Sequence, residues 1–425
     1  MNKGVRMKDV AAHYRDVLQL GQPLPPQTVP VEQALGRVLA QDTPARYSVP
    51  PFTNSAMDGF AVRAEDVQAG CTLPVSTDIP AGRTDPLTLE AGTAMRIMTG
   101  APLPSGANAV VQVELTENAD QNMAEQAPAQ VTFSADVAAG ANVRRAGEDI
   151  NAGETLFQAG TRLSAAHLSA LVAVGYGQVQ IRPGLRVGVV TTGEELRPAG
   201  EQLKPGQIPD SNSVLVASLA AEAGASAHLR AFHADTVEGF LADLDAAARE
   251  VDLLITTGGV SAGAFDVVKA ALRQKGVTFT KVAMQPGKPQ GFGQIRANGR
   301  DVPILCLPGN PVSVLVSWYL FAVPLIHKLE GQRPAAFDDR FTRAEVGTGW
   351  KRKTGRVQFL PATAREGENG LPSAEVHVHP ASHGGSKSHF VASLAAATGL
   401  VRIPADQAEV KVGEEVPVMW FGRPR

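Results

Sequence analysis

Apolar and polar positions change period several times along the chain, and each change marks an element boundary. Residues 7–20, MKDVAAHYRDVLQL, space their apolar side chains by three and four, the pattern of an amphipathic helix. QPLPPQTVP, 22–30, reads as an extended proline-rich link, and VEQALGRVLA, 31–40, as a second short helix. Over 44–150 the runs shorten and are broken by Gly and Pro (FAVRAED, GTAMRIMTGAPLP, NAVVQVE), which predicts a β-rich domain. Inside it ENADQNMAEQAPAQ, 117–130, is polar and aperiodic and reads as a surface loop. LSAAHLSALVAVGYG, 163–177, is a helix closed by a glycine. Over 184–330 apolar, β-branched strands alternate with helical patterns, predicting a parallel, doubly wound sheet. From 331 strands return as GRVQFLPATA, AEVHVHPA, GLVRIPA and EEVPVMW, and a small antiparallel barrel or sandwich is expected.

The fold class is therefore α/β and multidomain. A central three-layer α/β domain with a parallel-type sheet is expected over 184–330 and a β-rich second domain over 44–150. Residues 1–43 and 151–183 would form an elongated helical linker domain, and 331–425 a C-terminal small β-barrel. A chain of 425 residues suits two to four domains. The net charge of −3 argues against a broad nucleic-acid or anionic-membrane surface, and 5% aromatics argue against base-stacking platforms. Cys71 and Cys306 are far apart and form no paired ligand motif; Cys306, inside VPILCL, reads as a core residue. The N-terminus lacks the pattern of a signal peptide. The longest apolar stretch, Val312 to Ile326, contains two serines and Pro324 and falls short of the ~20 apolar residues of a membrane span. It reads as a buried helix of a cytoplasmic protein.

Three strand-to-helix turns carry the chemistry. VDLLITTGGVSAGAFD, 251–266, ends a buried strand in Gly258-Gly259 and then offers Ser261 and Asp266. Such a turn favours anions, because backbone N–H groups and a helix N-terminus face the ligand and glycine permits close approach. LRVGVVTTGEEL, 185–196, ends its strand in Thr191-Thr192-Gly193, with Glu194 and Glu195 next. VPILCLPGNPVSVLVSWYL, 302–320, turns at Pro308-Gly309, with Asn310 at a helix N-cap and Pro311 in the first helical position. In DSNSVLVASLAAEAG, 210–224, Ser211, Asn212 or Ser213 would cap a helix ending at Gly224. Turns after strand C-termini of a doubly wound sheet line one crevice, so the three are expected to converge on one ligand.

Three further segments lie outside that domain. In PPFTNSAMDGFAVR, Asp58-Gly59 is equally readable as a plain hairpin turn; RIMTGAPLP puts Thr99 at a strand end; RRAGEDI sets Arg144 and Arg145 beside Glu148 and Asp149, which a solvated face would explain as well. His377, His379, His383 and His389 gather four of nine histidines, a conceivable zinc or copper site but more often simple surface residues.

NSAMDG, RIMTGAP, RRAGEDI, TTGEEL, GGVSAGAFD, QPGKP and LPGNPVS occur here in the order found in molybdopterin molybdenumtransferases, the MoeA proteins and the gephyrin E domain. The resemblance spans residues 7 to 420. It implies an enzyme that takes adenylylated molybdopterin and molybdate, cleaves the adenylate, releases AMP and forms molybdenum cofactor. It also implies an elongated homodimer, with the active cleft between the α/β domain of one subunit and the second domain of the other. Exchange with molybdopterin adenylyltransferase and with cofactor-accepting proteins is left open.

On this resemblance Asp58, Thr99 and Asp149 would face the cleft from the second domain, and Glu195, Asp235 and Asp266 from the α/β domain. Several carboxylates in one cleft call for a divalent cation, and Mg²⁺, which takes oxygen ligands and substrate phosphates, is the expected occupant, held by Glu195, Asp235 and Asp266. Gly258, Gly259, Ser261, Pro308, Gly309 and Pro311 would shape the substrate site. Lys281, Lys288, Arg356 and Ser388 are of the type that holds an oxyanion such as molybdate. Some family members have lysine where this chain has Gln285, and Lys387 would restore charge in SHGGSKSHF. Two other readings remain: a molybdopterin carrier without catalysis, and a molybdopterin adenylyltransferase, whose single domain lacks NSAMDG and the terminal β domain.

Overall fold

The computed structural model describes residues 7–421 apart from 123, 194, 232–236, 260–266, 366–376 and 381–390. The chain forms two compact units. One contains the residues up to 27, 36–40 and those from 181 onward; the other contains 28–35 and 41–180.

The larger unit is organised on a sheet whose strands are β1 (Arg186–Thr191), β2 (Ser226–Ala231), β3 (Leu253–Thr257), β4 (Thr278–Lys281), β5 (Pro289–Ala297) and β6 (Arg300–Leu307). Among the described residues their order is β2-β1-β3-β6-β5-β4. β2, β1, β3 and β6 run parallel, whereas β5 is antiparallel to both β6 and β4. The sheet is thus mixed, which corrects the expectation of a parallel one. The reason lies in the tight β5–β6 hairpin, whose Asn298 sits at φ +48° ahead of Gly299; Asn-Gly between alternating strands is a strong hairpin signal.

Alternation along the strands buries both faces. Val187, Val189, Leu253, Ile255, Leu305 and Leu307 point to one side, against α1 (Ser211–Glu222) and α4 (Pro311–Leu329). Val190, Leu254, Ile304 and Cys306 point to the other, against α2 (Val237–Glu250) and α3 (Val267–Gln274). Three layers result, and Cys306 is the core residue expected of it.

The helix α4 is longer than the apolar run suggested. By length and composition it is able to cross a membrane, with 19 residues and a mean hydropathy of 1.6, but 78% of the stretch is buried in the protein. It continues through Pro324 by opening into a π segment, Trp318–Ala322. Proline lacks the N–H that would bond the carbonyl four residues back, here Leu320. Arg340 supplies the replacement: its Nη1 donates to Leu320 O at 2.9 Å and its Nη2 donates to Tyr319 O. Burial pulls the Arg340 guanidinium down to about 10, an effect that the nearby Tyr14 partly offsets.

The N-terminal helix, Val10–Gln19, is capped by Asp9, whose Oδ1 accepts from Ala12 N. The second predicted helix is absent: VEQ is a single 3-10 turn, Gly36 adopts φ +73°, and Val38–Leu39 joins a strand pair with residues 181–182. Toward the C-terminus, strands Thr342–Val346, Val357–Arg365, His377–Pro380, Gly399–Ile403 and Glu415–Trp420 pair in a circuit that closes on itself through Val357–Arg365 and Gly399–Ile403.

The smaller unit is built on a five-stranded sheet among the described residues, whose central strands are Gly59–Val62 and Ala94–Ile97. Phe60, Val62 and Val111 pack to one side of it, and Ala61, Met95, Ile97 and Val110 to the other. The predicted loop at 117–130 is folded around Arg96, which is 3% exposed, donates to Asn122 O and Ala124 O, and pairs with Asp78. A helix, Ala165–Ala173, opens on a capping box between Ser164 and His167.

Candidate functional site

In the larger unit the three turns do meet. β1 ends at Thr191, and Thr192 N donates to Thr257 O at the end of β3, 3.3 Å away. Gly258 sits at φ +91°, and a β-carbon there would lie 2.7 Å from Thr192 O, so only glycine lets these turns touch. Gly258 N in turn donates to Leu307 O at the end of β6 (3.2 Å), and a β-carbon on Gly309 would be 3.5 Å from Gly258 Cα. The Gly258 N–H is therefore spent on the neighbouring strand and is no free anion donor. Gly259 has φ +62° and is partly exposed. Pro308 is buried, Gly309 and Asn310 are exposed, and Pro311 opens α4 behind Asn310, whose side chain makes no cap bond.

Sequence reasoning missed what ties the turns to α1. Its N-cap is Asp210, not one of the three residues after it. One Asp210 oxygen accepts from Ser213 N at 3.0 Å and the other from Thr191 Oγ1 at 2.8 Å. Asn212, one residue into the helix, donates from Nδ2 to Gly309 O at 2.7 Å. The Asp-Ser-Asn run ahead of an apolar helical pattern was the available signal. Glu195 is exposed, its backbone carbonyl accepts from Ile208 N at 2.9 Å, and its carboxylate folds back over Gly193.

Lys281 ends β4 and pairs with Pro289, the residue after Lys288, so both lysines lie at the same edge of the sheet as the three turns. Val282 N donates to Lys288 O at 2.8 Å, and Gln290, 2% exposed, holds the loop by donating to Gly287 O and to Ser317 Oγ of α4. Met284–Gln285 runs beside Val357–Gln358, and Arg356 Nη2 donates to Gln285 Oε1 at 3.1 Å. A lysine in place of Gln285 would bring a second cation to that guanidinium, so the departure at 285 and the placement of Arg356 belong together. Arg352 donates to the backbone carbonyls of Pro404, Gln407 and Arg356, and burial followed by the Arg356 charge lowers its pKa.

In the smaller unit NSAMDG, RIMTGAP and RRAGEDI also come together. Asn54–Ser55 pairs antiparallel with Val143–Arg144, and Ser55 exchanges backbone bonds with Gly100 and Ala101. Asp58 Oδ1 accepts from both Thr99 N (2.7 Å) and Thr99 Oγ1 (2.8 Å). Asp149 N donates to Val49 O, and Gly147 N to Pro50 O. Asp58, Thr99 and Asp149 are all exposed. Asp235, Ser261, Asp266, Lys387 and Ser388 lie outside the described residues, as do His383 and His389 and the side chains of His377 and His379. No group of three metal-ligating side chains occurs among the described residues.

Comparison with known proteins decides the family. The model of the MoeA N-terminal region, domains I and II, matches residues 8–175; a probable molybdopterin binding domain matches 188–328; and the MoeA C-terminal region, domain IV, matches 343–421. Molybdopterin molybdenumtransferase 2 of Mycobacterium tuberculosis is 41% identical, over 97% of this chain and 99% of that one. The chain belongs to the molybdopterin molybdenumtransferase family. It is, with that family, a transferase of molybdenum cofactor biosynthesis. The molybdopterin molybdenumtransferase of Haemophilus influenzae is 34% identical over 94% of this chain and 95% of that one. The crystal structure of the molybdopterin biosynthesis MoeA protein of Pyrococcus horikoshii superposes with a TM-score of 0.77 at 29% identity, covering 98% of this chain and all of that one. The multidomain α/β fold of the molybdopterin molybdenumtransferases is thus the fold of this chain.

Proposed function

We propose that the chain moves molybdenum from molybdate onto adenylylated molybdopterin, with cleavage of the adenylate and release of AMP. The observation that carries this reading is the meeting of the Thr192, Gly258 and Gly309 turns at one sheet edge, within the stretch that matches a molybdopterin binding domain. On this reading the turns seat the pterin and its phosphate. Lys281 and Lys288, at the same edge, draw the anions in, and Arg356, held by Gln285, offers charged donors to molybdate together with Ser388. Attack of a water oxygen on the molybdopterin phosphorus breaks the phosphoanhydride and AMP leaves with the bridging oxygen; the two dithiolene sulfurs then bind molybdenum, and their protons leave with one molybdate oxygen as water.

Glu195, Asp235 and Asp266 would hold Mg²⁺, and the exposed Glu195 carboxylate is the hard oxygen ligand that this ion selects beside substrate phosphates. The ion would neutralise charge on the phosphate oxygens. Asp58, Thr99 and Asp149 act from the second domain. We further infer a cytoplasmic homodimer whose cleft takes residues from both subunits, and a four-part chain: linker domain 1–43 and 151–183, second domain 44–150, α/β domain 184–330 and barrel 331–425.

The test is purified protein with adenylylated molybdopterin, Mg²⁺ and molybdate. AMP release coupled to active cofactor is expected. No AMP under any metal condition would favour a carrier, and adenylylation of molybdopterin from ATP would favour the adenylyltransferase. Asp58→Asn keeps an oxygen that accepts both Thr99 bonds and removes only the charge, so it should abolish insertion in a folded protein. Full activity in that variant would remove Asp58 from the site.

A further inference from the structure

Asn212 uses only half of its amide. Its Nδ2 donates to Gly309 O at 2.7 Å, which fixes the orientation of the group, since a carbonyl oxygen can only accept. Its Oδ1 is buried and has no hydrogen-bond partner among the described residues, in a residue 9% exposed. The amide holds the exposed Gly309–Asn310 turn, whose Gly309 itself lies against Gly258. A buried acceptor left unpaired is costly, so the Asn212 oxygen calls for a donor.

The polarity of that ligand follows from the atom. An amide oxygen accepts and never donates, so a phosphate or molybdate oxygen brought against Asn212 Oδ1 would be repelled. An N–H donor would be held. At the helix start the Ser213 N–H is already taken by Asp210. We infer that Asn212 is a specificity-determining residue, whose Oδ1 accepts an N–H from the amino-heterocycle of the substrate while its Nδ2 keeps the third turn in shape. The third turn then reads the heterocycle, and the anionic part of the substrate lies away from it. This rests on the proposed transferase reading, which offers two such heterocycles, a pterin and an adenine, both carrying N–H donors.

Equilibrium binding to the full-length protein separates the sources. The probes are a pterin phosphate, its lumazine counterpart with the 2-amino group replaced by oxygen, AMP, purine riboside monophosphate, and inorganic phosphate. In wild type, one amino-bearing probe should bind about tenfold tighter than its partner lacking the amino group, the worth of one buried hydrogen bond. The pterin pair responding assigns the pterin to Asn212, and the AMP pair responding assigns the adenine. Asn212→Ala should abolish that ratio and leave inorganic phosphate binding unchanged. Asn212→Asp, which keeps the acceptor and loses the donor to Gly309, should retain the ratio even if the turn loosens, so a poorly folded alanine variant leaves the idea testable. An unchanged ratio in Asn212→Ala overturns it, as does an equal loss for all probes including inorganic phosphate, which would mean a purely structural role. Failure of the wild type to form cofactor would sink the transferase reading without touching these ratios.

Discussion

His13 makes the stability of the larger unit depend on acid in a way that one substitution should erase. The ring is 1% exposed and lies edge-on between Phe292 (centroids 5.0 Å apart) and Phe321 (4.6 Å), with Nδ1 unpartnered. Burial, helped by the nearby Lys8 charge, lowers its pKa from 6.5 to about 3. Below pH 6.5 the unfolded chain binds a proton here that the folded chain refuses until about pH 3, so native stability falls as pH is lowered through that window. At about pH 5 the unfolded state gains about 2 kcal/mol relative to neutral pH, and the ceiling of the effect is roughly 5 kcal/mol. His13→Leu keeps an apolar body in the gap and has no proton to bind. Urea unfolding followed by tryptophan fluorescence suits the test, because Trp318, Trp350 and Trp420 all belong to the larger unit. Wild type should lose about 2 kcal/mol more than the variant between about pH 8 and pH 5. Equal losses in the two proteins would refute a neutral, buried His13.

Two further substitutions probe the frame around the site. Gly258→Ala forces a side chain into a position at φ +91° and 2.7 Å from Thr192 O, and should cost at least about 2 kcal/mol, seen as a melting temperature lower by roughly 4–8 °C. An unchanged melting temperature would mean the turns do not touch. Arg340→Leu strips the Tyr319 and Leu320 carbonyls of their donors and should destabilise by about 3 kcal/mol or more, measured by the same urea titration. If Arg340→Leu unfolds at the wild-type midpoint, the π segment finds its partners elsewhere.

What was legible in the sequence followed from periodicity and from turn chemistry. Continuous apolar, β-branched runs in β1, β3 and β6 announced buried strands, and the three glycine-bearing turns were foreseen as neighbours. What escaped depended on partners distant in the chain. The helix pattern of 31–40 gave way because Val38 and Leu39 find a strand at 181–182. The run through Pro324 looked interrupted because the guanidinium that repairs it comes from residue 340. Asn298-Gly299 was the exception, a local signal that would have revealed the antiparallel half of the sheet. At the site, the family resemblance gave most of the candidate carboxylates and cations, but not that Gly258 spends its N–H on Leu307 or that Asn212 bolts α1 to the third turn.

The closed circuit of strands near the C-terminus bears on how the protein behaves when crowded. Among the described residues each of its five members has a neighbour on both sides, so the circuit has no terminal strand on which a stray chain could build. The six-stranded sheet cannot close and ends in β2 and β4. β4 is only four residues long and finishes in Lys281, the short, charged kind of border that discourages fibre growth. Lys281 thus guards the margin of the sheet, and neutralising it is expected to cost solubility.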